Sequence, residues 1–216
     1  MWTRRSQPKA EPLVHPATNA GATLIGRRVV LRPLLPADFD QWREVRLRCE
    51  AWLTKWEPAR IPGAPDTIGD RQAFAARCGA RTREIQMGSG YGFGIFVDGC
   101  FAGEVNINSI HRGPFQSAYV GYWIDERHAG RGYTPEAVVL VLRFAFEQMM
   151  LHRIQISIIP RNAASRRVVE KLGLRNEGIA ERYLEIDGVW EDHVRYAITS
   201  EEWAVRRDEL LSAWAY

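Results

Sequence analysis

The chain predicts an α+β fold on a mixed central sheet, and three observations carry that expectation. Apolar, β-branched runs at Tyr91 to Val97, Cys100 to Ile110 and Tyr119 to Ile124 follow one another across short connections, the pattern of an antiparallel meander. The alternating run Arg153 to Ile159 comes next, after a helical stretch from Pro135 to Met150. A strand, a helix and a strand in that order make a parallel crossover. Asp187-Gly188 then sits between two further extended runs as a hairpin turn.

In chain order, Val29 to Pro33 reads as a strand closed by the turn Leu35-Pro36-Ala37-Asp38. Asp38 suits the cap of a helix whose apolar stripe includes Phe39, Trp42, Val45 and Cys49. A Pro/Gly-rich loop from Pro58 to Pro65 leads to a second helix ending near Met87. Asp98-Gly99 joins the first two strands of the meander. Thr134 suits a helix cap and Pro135 the first helical position. Pro160 ends the Arg153 strand, Asn162 caps the next helix, and Gly173 stops it after Lys171-Leu172. Glu181 to Ile186 and Val189 to Val194 are the arms of the last hairpin.

With 216 residues and 46% hydrophobic content, the chain can bury one sizeable core. Residues 1–22 hold Pro8, Pro12 and Pro16 among polar neighbours and read as a leader; residues 23–216 read as a single domain. No apolar run approaches the ~18 residues of a membrane helix, and the N-terminus lacks the apolar stretch of a secretory signal. Cys49, Cys78 and Cys100 are far apart, and His111, His128, His152 and His193 are scattered. Neither a disulfide framework nor a metal site is expected, and a reducing cytoplasm fits. The net charge of +3 is spread along the chain, too mild for direct nucleic-acid binding.

The segment Arg127-His128-Ala129-Gly130-Arg131-Gly132-Tyr133-Thr134 lies between a strand and a helix. A glycine loop there aims backbone N–H groups and the positive end of the helix dipole at one point, a seat for phosphate. The dinucleotide fingerprint fails because Pro135 stands where a third glycine belongs, and the nucleoside-triphosphate loop fails for want of Gly-Lys-Ser/Thr. What remains is Arg-x-x-Gly-x-Gly, whose bland alternative is an ordinary strand-to-helix turn.

That loop resembles the coenzyme A pyrophosphate loop of the GNAT N-acetyltransferases. The order continues to match: strand, Arg-x-x-Gly-x-Gly, helix, strand, Asn162-x-x-Ser165 helix, Lys171-Leu172-Gly173-Leu174, hairpin. Tyr183 to Val194, with Leu31-Arg32-Pro33-Leu34 and Lys55-Trp56-Glu57-Pro58, is similar to the RimJ/RimL branch, acetyltransferases of ribosomal-protein N-termini. The resemblance spans roughly Thr23 to Trp203. It implies a sheet splayed between two neighbouring strands, acetyl-CoA as co-substrate without metal, and a protein N-terminus starting with Ala or Ser as acceptor. A small amine (antibiotic or polyamine) and a non-catalytic acyl-CoA-binding regulator are the alternatives. Monomer and homodimer are both compatible.

The resemblance also implies roles. Amides from Arg127 to Thr134 would cradle the pyrophosphate, and Trp123, Ile124 and Asp125 would bond the pantetheine arm as a further strand. An N–H near Trp123 or Ile124 would hold the oxyanion. Glu104 is the first candidate base, sharing a strand face with Asn106 and Asn108; the alternative is a solvated strand face. Glu185 is the second; the family's hairpin glutamate aligns with Leu184, one place away, and a one-residue slip reverses the face. Glu185 can equally be a surface carboxylate beside Arg182. Ser165 shares a helix face with Val168, Val169 and Leu172 and is the candidate acid toward the thiolate, or a support for its own helix start. The family's usual tyrosine is missing from the Arg161 to Lys171 helix. Asn162 would touch the coenzyme, cap its helix, or both. Trp52, Trp56 and Trp190 would wall an acceptor groove or pack inside.

Overall fold

A computed structural model describes residues 22–59 and 63–216. The expected leader, apart from Ala22, and positions 60–62 of the Pro58–Pro65 loop lie outside the described residues. Among these described residues eight strands form one sheet: β1 (Leu24–Ile25), β2 (Val29–Arg32), β3 (Tyr91–Val97), β4 (Cys100–His111), β5 (Ser117–Ile124), β6 (Arg153–Ile158), β7 (Arg175–Ile186) and β8 (Val189–Thr199). Their order is β1-β2-β3-β4-β5-β6-β8-β7. Every pairing is antiparallel except β5 with β6, the crossover expected from sequence.

Among the described residues six α-helices cover this sheet: α1 (Phe39–Arg48), α2 (Glu50–Leu53), α3 (Arg71–Met87), α4 (Tyr133–Arg143), α5 (Ala163–Lys171) and α6 (Ser200–Trp214). On one face, Phe39, Trp42, Val45, Phe74 and Cys78 of α1 and α3 pack against Phe96 and Phe101. The other face holds the larger core, where the run Ala137 to Leu142 of α4 is buried all round. A helix apolar on every side can only be an interior one. Among the described residues no helix is long and apolar enough to cross a membrane.

The parallel pair is short. Only Ser117, Ala118 and Tyr119 of β5 match Arg153, Ile154 and Gln155 of β6. Beyond them β5 stays with β4 as far as Ile124, while β6 stays with β8 as far as Ile158. The two halves of the sheet part there and leave a wedge.

Several expected boundaries move. Helix α4 begins at Tyr133 with Gly132 (φ 87°) before it, so Thr134 is not the cap. Pro135 still falls in the first turn, where no N–H is required. The helix passes at Phe144–Gln148 into a π-turn, which keeps Phe144, Ala145 and Phe146 all buried. Asp38 precedes α1 without capping it; its carboxylate instead accepts from Leu35 N–H and both Arg32 nitrogens. Strand β7 starts at Arg175 rather than Glu181, and β8 runs to Thr199 rather than Val194. Short β1 and α2, and also α6, were not expected. In α6, exposed Val205 obscures the stripe formed by Trp203, Leu210 and Leu211, although Thr199 and Glu202 form a reciprocal capping box.

Candidate functional site

The wedge holds a cavity of about 430 Å3. Its walls are Tyr122, Trp123 and Ile124 of β5, Ala129, Gly130 and Thr134 beyond it, the start of α5 from Arg161 to Ser165, and the α2 segment with Trp52, Lys55, Trp56 and Glu57. A second hollow of about 300 Å3 continues around the glycine loop to Tyr133, Arg167 and Lys171.

Backbone polarity at the wedge follows from the ladder. Asp125 N–H donates to Ala102 C=O at 2.7 Å, and Trp123 faces Glu104 two residues back. Donors alternate along an antiparallel ladder, so Trp123 N–H also turns toward β4. The amides of Tyr122 and Ile124 point into the opening, where β6 has departed. Of the two expected oxyanion donors, Ile124 N–H therefore faces the opening and Trp123 N–H does not.

The loop is likewise narrower than expected. Arg127 N–H goes to the Asp125 carboxylate (3.1 Å), His128 N–H to Asp125 C=O (2.8 Å) and Ala129 N–H to Glu126 C=O (3.1 Å). These three amides close a 3-10 turn over Glu126–His128 and are not free for a ligand. Among the described residues the amides from Gly130 to Thr134 have no internal acceptor. Gly130 (φ 77°) and Gly132 (φ 87°) adopt left-handed backbone on either side of Arg131. That alternation curves successive N–H groups into a concave nest for an anion.

Asp125, expected to meet the coenzyme, turns its carboxylate inward instead. It accepts from Arg48 Nη2 (2.6 Å) and Cys49 Sγ (3.3 Å) of the α1 end as well as from Arg127 N–H. Burial pushes its pKa up, but these donors outweigh that and hold it below the usual carboxylate range. His128 faces the same carboxylate at 3.4 Å.

Asn162 caps α5, its Oδ1 accepting Ser165 N–H at 3.1 Å, and both residues line the cavity. Ser165 Oγ donates to Tyr122 Oη, which donates to Ser165 C=O, each at 3.1 Å. Burial pushes the Tyr122 hydroxyl far up in pKa, so it stays a neutral phenol. Helix α5 holds no tyrosine; the phenol beside Ser165 comes from β5. Alternation fixes the face on which Tyr122 lies but not the helix above it.

The three carboxylates fare differently. Glu104 is 3% exposed rather than solvated. Trp42 Nε1 (2.8 Å) and Arg77 Nη2 (2.6 Å) occupy its two oxygens, and it is absent from the cavity wall. Glu185 is exposed on β7 opposite Trp190 and is also outside the wall. The structure thus does not bring Glu104, Ser165 and Glu185 together. The carboxylate that lines the cavity is Glu57, gripped by Arg46 through two bonds of 2.6 and 2.7 Å. Its side chain was unread in the sequence because Lys-Trp-Glu-Pro carries no periodic signal.

Trp52 and Trp56 line the cavity, whereas Trp190 is 61% exposed and outside it. Lys55 Nζ lies 5.6 and 5.4 Å from the Trp52 and Trp56 rings, and Arg161 lies 5.3 Å over Trp56. Arg167 and Lys171 add cations four residues apart on α5. Among the described residues no cluster of metal-ligating side chains occurs.

Comparison with known proteins agrees with this geometry. Residues 28–175 match the family model described as Acetyltransferase (GNAT) domain. The chain is 35% identical over 177 residues to "Probable N-acetyltransferase YjcK" of Bacillus subtilis, covering 81% of this chain and 96% of that one. It is 33% identical over 184 residues to "[Ribosomal protein uS5]-alanine N-acetyltransferase" of Escherichia coli, covering 83% and 92%. Among solved structures, Mycobacterium smegmatis RimJ in complex with CoA-disulfide superposes with a TM-score of 0.79 at 33% identity, over 89% of this chain and 93% of that one.

Proposed function

Because this chain belongs to the GNAT acetyltransferase family, we propose that it moves an acetyl group from acetyl-CoA to the N-terminal α-amine of a protein, a ribosomal protein beginning with Ala or Ser. The observation that carries the coenzyme half is the run of five unpartnered amides, Gly130 to Thr134, at the mouth of a wedge whose β5 edge is unpaired. The acceptor half is supported by the name of the Escherichia coli relative and by the charge of the cavity. Its wall carries Lys55 and Arg161, and its carboxylate Glu57 is tied to Arg46. A polyamine carries several cations and needs an anion for each, whereas this wall offers the single carboxylate of Glu57, shared with Arg46. A peptide with one reactive amine meets no such demand.

Acetyl-CoA supplies an electrophilic thioester carbonyl and a thiolate leaving group. The chain's own groups do the rest. Gly130 to Thr134 N–H bind the diphosphate, with Arg167 and Lys171 adding charge. Tyr122 and Ile124 offer strand-edge hydrogen bonds, and Ile124 N–H would hold the carbonyl oxygen, a contact typically worth ~3 kcal/mol. Ser165, oriented by Tyr122, would supply a hydrogen bond to the departing thiolate. An α-amine (pKa about 8) is easier to deprotonate than a lysine (about 10.4) by roughly 3 kcal/mol, so a modest acceptor acting through water suffices. Glu57, in the wall, takes that proton; Glu104 anchors Trp42 and Arg77 behind it.

The test is acetyl-CoA turnover with peptides starting in Ala or Ser, beside spermidine and an aminoglycoside. Turnover confined to the peptides supports the reading. Turnover confined to the polyamines, or coenzyme binding with no amine acetylated, overturns it. Glu57→Gln is expected to lower kcat about 100-fold, the lower end for losing a positioned base, while Glu185→Gln leaves it unchanged.

A further inference from the structure

The back of the glycine loop is built as deliberately as its front. Arg28, just ahead of β2, sends Nη1 to Arg131 C=O (3.0 Å) and Nη2 to Gly132 C=O (3.3 Å). Its Nε is held by Glu136 Oε2 at 2.9 Å. Glu136 is fully buried and its other oxygen accepts Arg28 N–H (2.6 Å) and Val29 N–H (3.2 Å). A carboxylate in the first turn of α4 would by itself repel an anion nearby; here it is neutralised and spent on fixing one guanidinium.

In a trans peptide the carbonyl and the following N–H point in opposite directions. A guanidinium on the oxygens of Arg131 and Gly132 therefore sets the N–H groups of Gly132 and Tyr133 facing the other way. A cation on the carbonyl end also polarises those peptides and strengthens them as donors. A Cβ on Gly132 would come 3.1 Å from Arg28 Nη2, so the guanidinium packs directly against the loop backbone at that glycine. We propose that Arg28, clamped by Glu136, is a positioning residue for the diphosphate-binding loop, acting from behind it through the Arg131 and Gly132 carbonyls. This rests on the coenzyme reading above.

Calorimetric titration with coenzyme A, thermal unfolding and steady-state kinetics on Arg28→Ala and Arg28→Lys test it. Losing charge-assisted hydrogen bonds should raise Kd for coenzyme A roughly 10- to 100-fold in Arg28→Ala. Arg28→Lys keeps the charge but lacks the fork that reaches two carbonyls and a carboxylate together, so its Kd should also rise several-fold. KM for acetyl-CoA should rise with kcat and the acceptor KM unchanged, a split that general loosening of the fold would not produce. If Arg28→Ala does not fold, the lysine variant decides. A Kd within twofold of wild type in Arg28→Lys, or a kcat that falls while Kd holds, overturns the inference. A wild-type chain that binds no coenzyme A at millimolar ligand sinks the coenzyme reading itself, and the inference with it.

Discussion

Tyr122 and Ser165 are joined by two hydrogen bonds, one to the hydroxyl and one to the carbonyl of the serine. If the pair works as a unit beside the sulfur, Tyr122→Phe and Ser165→Ala should each lower kcat about tenfold, or ~1.4 kcal/mol, and the double variant should be little worse than either. Steady-state kinetics of the four proteins check this. Asp125 makes a different prediction. Its pKa lies below the ordinary carboxylate value, so its stabilisation is fully present above the unfolded-state pKa of about 3.9 and fades as pH falls through the lower folded value. Asp125→Asn should cost about 3 kcal/mol, the scale for breaking a buried pair, at pH 5 to 8, and the gap should narrow below pH 4; denaturant melts at several pH values measure it. Ser165 could be read from helical spacing because its neighbours Val168, Val169 and Leu172 mark the inward face. The environment of Glu104 could not. Period-two alternation assigns its face, but Arg77 and Trp42 reach it from helices whose docking no local pattern encodes.

At the scale of elements, two glycines carry the geometry. A Cβ on Gly103 would sit 2.3 Å from Trp123 C=O, so Gly103→Ala must push β4 and β5 apart beside the cavity. It should lower both thermal stability and coenzyme affinity. Gly130 has left-handed backbone but open space around it, so Gly130→Ala should cost only the backbone strain of about 1–2 kcal/mol. The contrast is readable by melting the two variants side by side. The elements bounded by clear turn or cap signals (β3 and β4 about Asp98-Gly99, α5 between Asn162 and Gly173) were legible in the sequence. The start of α4 was not, because a glycine in left-handed backbone occupies the place where Thr134 offered the conventional cap. Two-residue β1 and four-residue α2 are too short for any period to emerge, and tertiary contacts alone hold them.

At the scale of the molecule, the cavity exists because β5 and β6 each keep their outer partner after Tyr119 and Gln155 part. The crossover was legible; the divergence was known only through family resemblance, since pairing length is decided by neighbours on both sides. One contact spans the far rim. The amide of Asp187, at the tip of the β7–β8 hairpin, donates to Glu57 C=O at 3.0 Å. That single proton reports on the distance between two arms that no covalent neighbour ties together. In deuterated water its replacement should be quick in the free protein and with coenzyme alone. Once a peptide packs against both arms and holds them together, it should slow, giving residue-level hydrogen exchange a direct view of occupancy on the acceptor side.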